Sequence, residues 1–226
     1  MFNKIKQLNR ELGVVNSLFY LVNRFFDKSG HPTRIVKYYL VAQKLPKISI
    51  LPTNRGRDIK IIELLPDTLN HPFPRPRNVI KDRYYQGAVC LAAYKSNTFI
   101  GCLWYVKHQY IEDEVRCIFK LASPQSVWDF DVYVEPKHRL SPVFLKLWDE
   151  AAKQLRKQGY EWSISRISAF NSTSIFSHRR MGAKTIGSTT FICIGNYQFT
   201  IANIFPFIHF SKNKKSIPNF ILIPPE

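Results

Sequence analysis
The sequence predicts a mixed α/β fold of the α+β kind, with a mostly antiparallel sheet. Three observations carry that expectation. Runs rich in β-branched and aromatic residues come in pairs joined by short turns. Two later segments place apolar residues at the three- and four-residue spacing of helices. Strand, helix, strand, helix and hairpin then follow one another in order from Val127 to Ile204. With 226 residues, 45% hydrophobic and 14% aromatic, the chain has the size and apolar content of one large domain.

The first element is a helix. Leu8, Leu12, Val15, Leu18, Val22 and Phe25 recur at spacings of three and four before a stop at Ser29-Gly30-His31-Pro32. Lys4, Lys6, Arg10 and Arg24 flank it, so it either packs on its own domain or lies on an anionic membrane surface. Residues 1–46 are therefore expected as an N-terminal amphipathic helical extension. Residues 46–78 hold six prolines and two short apolar runs, Ile48–Leu51 and Ile59–Leu65, which predict a strand within loops.

Ala88–Tyr94 and Phe99–Val106 form a predicted hairpin around Lys95-Ser96-Asn97-Thr98. Val115–Leu121 and Val127–Glu135 are expected to form a second. In the last run Trp128, Phe130, Val132 and Val134 alternate with Val127, Asp129, Asp131, Tyr133 and Glu135, which predicts one apolar face and one face with three carboxylates. Arg116, Ile118 and Lys120 on the neighbouring run are placed to pair with those acids. Ser141 then reads as a helix cap with Pro142 at the first position, ahead of an inward stripe through Val143, Leu147, Trp148, Ala151 and Leu155. Glu161–Ile167 is the next strand. Asn171 caps a helix over Ser172–Met181 that Gly182 closes. Ala183–Ile194 and Tyr197–Ile204 make a hairpin on Gly195-Asn196, and residues 205–226 form a basic, aromatic tail.

The net charge of +17 is unevenly spread. Residues 1–60 carry 12 Lys and Arg against 3 acids, residues 61–135 carry 8 against 9, and residues 136–226 carry 13 against 4. Two basic ends around a neutral middle attract polyanions: coenzyme A phosphates, an acidic carrier protein, an anionic membrane face or nucleic acid. Interleaved Arg, Lys and Tyr over Arg75–Tyr85 add to the nucleic-acid reading, which has neither a zinc finger nor a Walker loop behind it. Cys90, Cys102, Cys117 and Cys193 sit in apolar runs without a CxxC pair, so buried thiols are expected, not a metal site or disulfides. A cytoplasmic protein, peripheral at most to the inner face of a membrane, is the simplest placement. The run Val14–Val22 lacks a cleavage motif, and nothing reaches the ~20 apolar residues that cross a bilayer.

Three local patterns resemble the GNAT N-acetyltransferase family over Ala88–Ile204. They are Asn97-Thr98-Phe99-Ile100-Gly101, Val134-x-Pro136-x-x-Arg139, and the set Asn171, Ser174, His178, Arg180, Gly182 and Ala183. The resemblance implies an acyl-CoA N-acyltransferase fold over residues 47–204, with a splayed parallel pair between Val127–Glu135 and Glu161–Ile167. It implies transfer of an acyl group from acetyl-CoA or another acyl-CoA to an amine, without a metal. The pantetheine arm would lie along the backbone of Val132, Tyr133 and Val134. Lys137, His138, Arg139, Ser141 and Val143 would meet the pyrophosphate, and Asn171 and Ser174 would complete the coenzyme site. His178 stands where the family often has Tyr, and an imidazole with its ordinary pKa of ~6.5 can protonate a thiolate. Glu135 is the first candidate base and Asp131 the second. The family's pyrophosphate loop has small residues where this chain has Pro142 and Phe144. That departure favours, as alternatives, a donor carried on acyl carrier protein or a silent binding scaffold.

Overall fold
The computed structural model describes residues 2–67, 71–213 and 215–225. In chain order it contains α1 (Phe2–Leu12), α2 (Val14–Ser29), β1 (Thr33–Lys44), β2 (Ile59–Leu64), α3 (Arg77–Tyr85), β3 (Val89–Lys95), β4 (Thr98–Val106) and β5 (Gln109–Ile111). There follow β6 (Ile118–Leu121), β7 (Ser126–Val134), α4 (Val143–Lys157), β8 (Trp162–Ser168), α5 (Ser172–Arg180), β9 (Lys184–Ile194), β10 (Tyr197–Ala202), β11 (Ile208–Ser211) and β12 (Asn219–Leu222). The fold is mixed α/β, and its sheets are mostly antiparallel.

Two compact units divide the chain. The first comprises Met1–Gln43, Ile111–Ala122 and Ile164–Glu226, and the second Lys44–Tyr110 and Ser123–Ser163. In the second unit β7, β4, β3 and β2 pair in that order, all antiparallel. Ser96 and Asn97 both take positive φ, 47° and 64°, so the β3–β4 turn has the twist that hairpins favour. Helix α4 buries Val143, Leu147, Trp148, Ala151, Ala152 and Leu155, as its stripe predicts. Trp104, Trp128 and Trp148 are fully buried and anchor this core.

In the first unit β11, β10, β9 and β1 pair in order, again antiparallel. Strand β1 replaces the end of the expected helical extension: Tyr38, Leu40 and Ala42 are buried in it. The predicted hairpin between Val115–Leu121 and Val127–Glu135 does not form. Strand β6 pairs in parallel with β12, whereas β7 takes β4 as its neighbour. Phe119 and Phe220 explain the choice, since both are fully buried and stack at 5.8 Å. The tail thus contributes two strands, and α3 forms over a stretch for which the sequence predicts no helix. Cys90, Cys102 and Cys117 are buried free thiols.

Candidate functional site
The backbone of β7 departs from a regular ladder where the site was expected. Trp104 faces Phe130 and Cys102 faces Tyr133, so Leu103 alone stands opposite Asp131 and Val132. This is a β-bulge, and Asp131 takes φ 50°, a left-handed conformation rare outside glycine. Two arginines stabilise it. Arg75 grips the carboxylate with both Nε and NH2 at 3.0 Å, and Arg83 reaches it at 2.7 Å. Arg83 is itself buried, its guanidinium over the rings of Phe130 and Trp104 at 5.1 and 5.5 Å. Burial raises the Asp131 pKa, but the Arg75 hydrogen bond and the Arg83 charge outweigh it and hold the carboxyl below its ordinary value.

The bulge overturns the expected three-carboxylate face. Opposed residues of a ladder share a face, so Phe130 and Tyr133 lie together with Trp104 and Cys102, whereas Asp129 lies with Tyr105 on the other side. Asp129 accepts a 2.6 Å hydrogen bond from the Ser163 hydroxyl in the interior. Arg116 does not answer these acids; it binds Ser211 and the Asn196 carbonyl. Asp131 is an ion-paired anion, a poor proton acceptor, and its place is structural. The Arg75–Tyr85 stretch spends Arg83 on that internal pair, which removes it from any surface reading.

Beyond the bulge, chain and side chains converge. A Cβ at Gly101 would stand 2.6 Å from the Tyr133 carbonyl oxygen and 3.2 Å from Val143, so only glycine lets β4 pass β7 this closely. The Tyr133 ring stacks on Phe99 at 6.3 Å. Desolvation, then the neighbouring Glu135 carboxylate, raise the phenol pKa. The Glu135 amide donates to the Ile100 carbonyl, which fixes the strand end. Pro136–His138 is a single 3₁₀ turn. Ser141 does not cap α4; its hydroxyl donates to the His138 carbonyl at 2.7 Å, and Pro142 occupies the cap position. Val143 is buried against Gly101, so its side chain faces no ligand, whereas Lys137 and Arg139 are exposed.

The remaining predicted residues belong to the first unit. Asn171 caps α5 by accepting the Ser174 amide at 3.0 Å, and Gly182 ends the helix at φ 85°, both as the sequence predicts. His178 is buried beside a pocket of about 110 Å³ that Tyr39, Val41, Ile167 and Ile175 help to line. Burial pushes its pKa down to about 4, so the ring is neutral at physiological pH. The assumption of an ordinary imidazole pKa therefore fails. Sequence reasoning also missed Tyr133 as a side chain and the two arginines, because a bulge leaves no local mark that alternation can register.

No family model matches the sequence, and no curated protein matches it. Solved structures that the chain resembles include a functionally unknown conserved protein from Staphylococcus epidermidis, at 15% identity and a TM-score of 0.51 over 74% of this chain and 64% of that one. GNAT acetyltransferases are among its structural neighbours. A tandem GNAT protein from the clavulanic acid biosynthesis pathway is 12% identical, over 72% of this chain and 54% of that one, with a TM-score of 0.45. An aminoglycoside N-acetyltransferase solved with coenzyme A is 18% identical, over 58% of this chain and 91% of that one, with a TM-score of 0.41. The chain thus spans less than two thirds of the first two of these proteins. Such identities speak to fold alone.

Proposed function
We propose that this chain is an N-acyltransferase that moves an acyl group from a coenzyme A thioester directly to an amine. The β7 bulge carries the reading. It takes Asp131 and Val132 out of one-to-one pairing immediately before Tyr133 and Glu135, and the reading lays the thioester arm from this irregular backbone along Val132–Val134. In this reading the amine nitrogen attacks the thioester carbonyl carbon and the C–S bond breaks. Glu135 accepts the amine proton. Tyr133, whose raised pKa keeps it protonated, gives its hydroxyl proton to the departing sulfur and is reprotonated by Glu135. Asp131, held as an anion by its arginines, fixes the bulge. Lys137 and Arg139 supply charge for phosphate oxygens, and amides of the α4 first turn supply donors, although Pro142 has no amide hydrogen to give.

A second donor, acyl carrier protein, is favoured by one observation. A groove of about 400 Å³ beside α4 is lined by Lys47, Lys146, Lys153, Arg156 and Lys157 against two acids, of which Asp149 is spent on the Ile50 and Leu51 amides and Glu150 accepts from Gln154. Release of free thiol from acetyl-CoA and from acyl carrier protein, each with a panel of amines, tests both donors. Glu135→Gln should lower turnover on the productive donor by about 10²-fold or more with little change in donor affinity. Unchanged turnover would remove Glu135 from the mechanism, and no thiol release with either donor would end the reading.

A further inference from the structure
Helix α2 sits on the protein inside out. Its buried residues are Asn16 and Ser17. Asn16 donates to the Tyr39 hydroxyl and accepts from Lys37, both at 2.8 Å, and Asn23 accepts the Ile35 amide at 2.9 Å. Polar side chains therefore fasten α2 to β1. Val14, Leu18 and Phe25 lie 72%, 58% and 68% exposed, and at 100° per residue they occupy the opposite side of the helix with Leu21. Apolar stripes ordinarily turn to the core. This one turns to solvent.

The sheet continues the same surface. Lys37 and Tyr39, which meet α2, stand opposite Thr190 and Ser188, and Ile35 stands opposite Ile192 on that face. The register carries the face from Ile192 to Phe199 and on to Phe210, with Ile201 facing Ile208 beside them. Phe199, Ile201, Ile208 and Phe210 are all exposed, as are Phe205 and Phe207 in the connecting loop. The outer stripe of α2 and the faces of β10 and β11 thus look to one side of the first unit. Scattered exposed apolar residues need no explanation, but this many aliphatic and aromatic side chains turned to one side of a unit do.

Charge selects the occupant. From Trp162 to Pro225 the sequence has no Asp or Glu. Lys212 stands 5.9 Å from the Tyr197 ring, and Arg24, Lys28 and Lys215 are exposed. A second copy docked by a two-fold axis would set these cations against one another. Anionic headgroups would neutralise them.

We propose that this side of the first unit rests on an anionic lipid bilayer. The α2 stripe and the β10–β11 aromatics enter the boundary between headgroups and acyl chains, and the cations meet lipid phosphates. The attachment is peripheral: no helix among the described residues is long and apolar enough to cross a membrane. It stands independently of the proposed chemistry.

Flotation of the full chain with phosphatidylcholine vesicles, with and without phosphatidylglycerol, tests it. The bound fraction should rise about tenfold or more with phosphatidylglycerol and fall back in high salt. Leu18→Glu with Phe25→Glu, and separately Phe199→Ser with Phe210→Ser, should each lower binding about tenfold without lowering the thermal midpoint, because these side chains are exposed. Variants that melt early leave the comparison of lipid composition and salt on the wild type to decide. Absence of vesicle binding, binding indifferent to phosphatidylglycerol, or folded variants that bind unchanged would overturn the proposal. So would a dimer, seen by light scattering, that the same substitutions split while vesicles capture nothing.

Discussion

The two units solve the problem of a buried carboxylate in opposite ways. In the first, Arg166 is the shared cation of three acids. It meets Glu112 through two 2.5 Å bonds, stands 3.9 and 3.8 Å from Asp113 and Glu114, and covers the Tyr38 ring at 4.4 Å. In the second, Asp131 is one acid between two arginines. The outcomes diverge accordingly. Burial pushes Glu112 above its ordinary pKa, and Arg166 offsets that only in part. Asp131 is held below its ordinary value, because two guanidiniums outweigh its burial. Depth of burial and the ratio of charges together decide whether such an acid stays a dependable anion, since the Glu112 side chain is 0% exposed and that of Asp131 17%. The dependable one stabilises a bulge at the proposed reaction centre; the other ties β8 to the segment that follows β5.

Removing the shared cation should break the first arrangement most severely. Arg166→Leu leaves Glu112 buried beside two further acids, and loss of one partner of a buried pair costs about 3–5 kcal/mol. Urea denaturation should show that loss near neutral pH, with partial recovery on adding Glu112→Gln. A cost below about 1 kcal/mol would mean that packing, not charge, holds this cluster. The next largest effect belongs to the second unit. Gly101→Ala drives a methyl group to 2.6 Å from the Tyr133 carbonyl, and the needed shift of β4 costs about 1–3 kcal/mol. Both stability and proposed turnover should fall together, because the same carbonyl sits between the bulge and Glu135. Wild-type stability would show that the two strands separate there freely.

What the sequence made legible follows the range of the cause. The Ser96-Asn97 turn, the Asn171 cap and the Gly182 stop each rest on two to five adjacent residues, and each is where local chemistry predicts. The face of α4 was equally legible, since one periodic stripe decides it. The bulge was not, because Arg83 reaches Asp131 across 48 positions and alternation assumes an uninterrupted ladder. The pairing of β6 with β12 brings Phe119 to Phe220, and no local pattern announces such a partner. Helix α2 shows a subtler limit. Its stripe was visible, but which side meets the protein depends on Asn16 and Asn23 finding polar partners on β1.

The smallest effect sharpens the comparison most. Arg75 is half exposed, 50% against 2% for Arg83, so water screens its pair with Asp131 and Arg75→Ala should cost less than about 1 kcal/mol near neutral pH. Its influence on proton binding is clearer. The folded-state pKa of Asp131 lies below its unfolded value, so the stability it contributes is present above about pH 3.9 and is lost as pH falls through the folded pKa. Deleting Arg75 removes the first of the interactions that lower that pKa, while burial, which raises it, remains. The acid-induced loss should therefore begin at higher pH in Arg75→Ala than in wild type. Urea midpoints taken across the acid range read this directly. If the two profiles superimpose, Arg83 alone keeps Asp131 ionised, and one buried cation per acid is then enough in this unit, as it is not around Arg166.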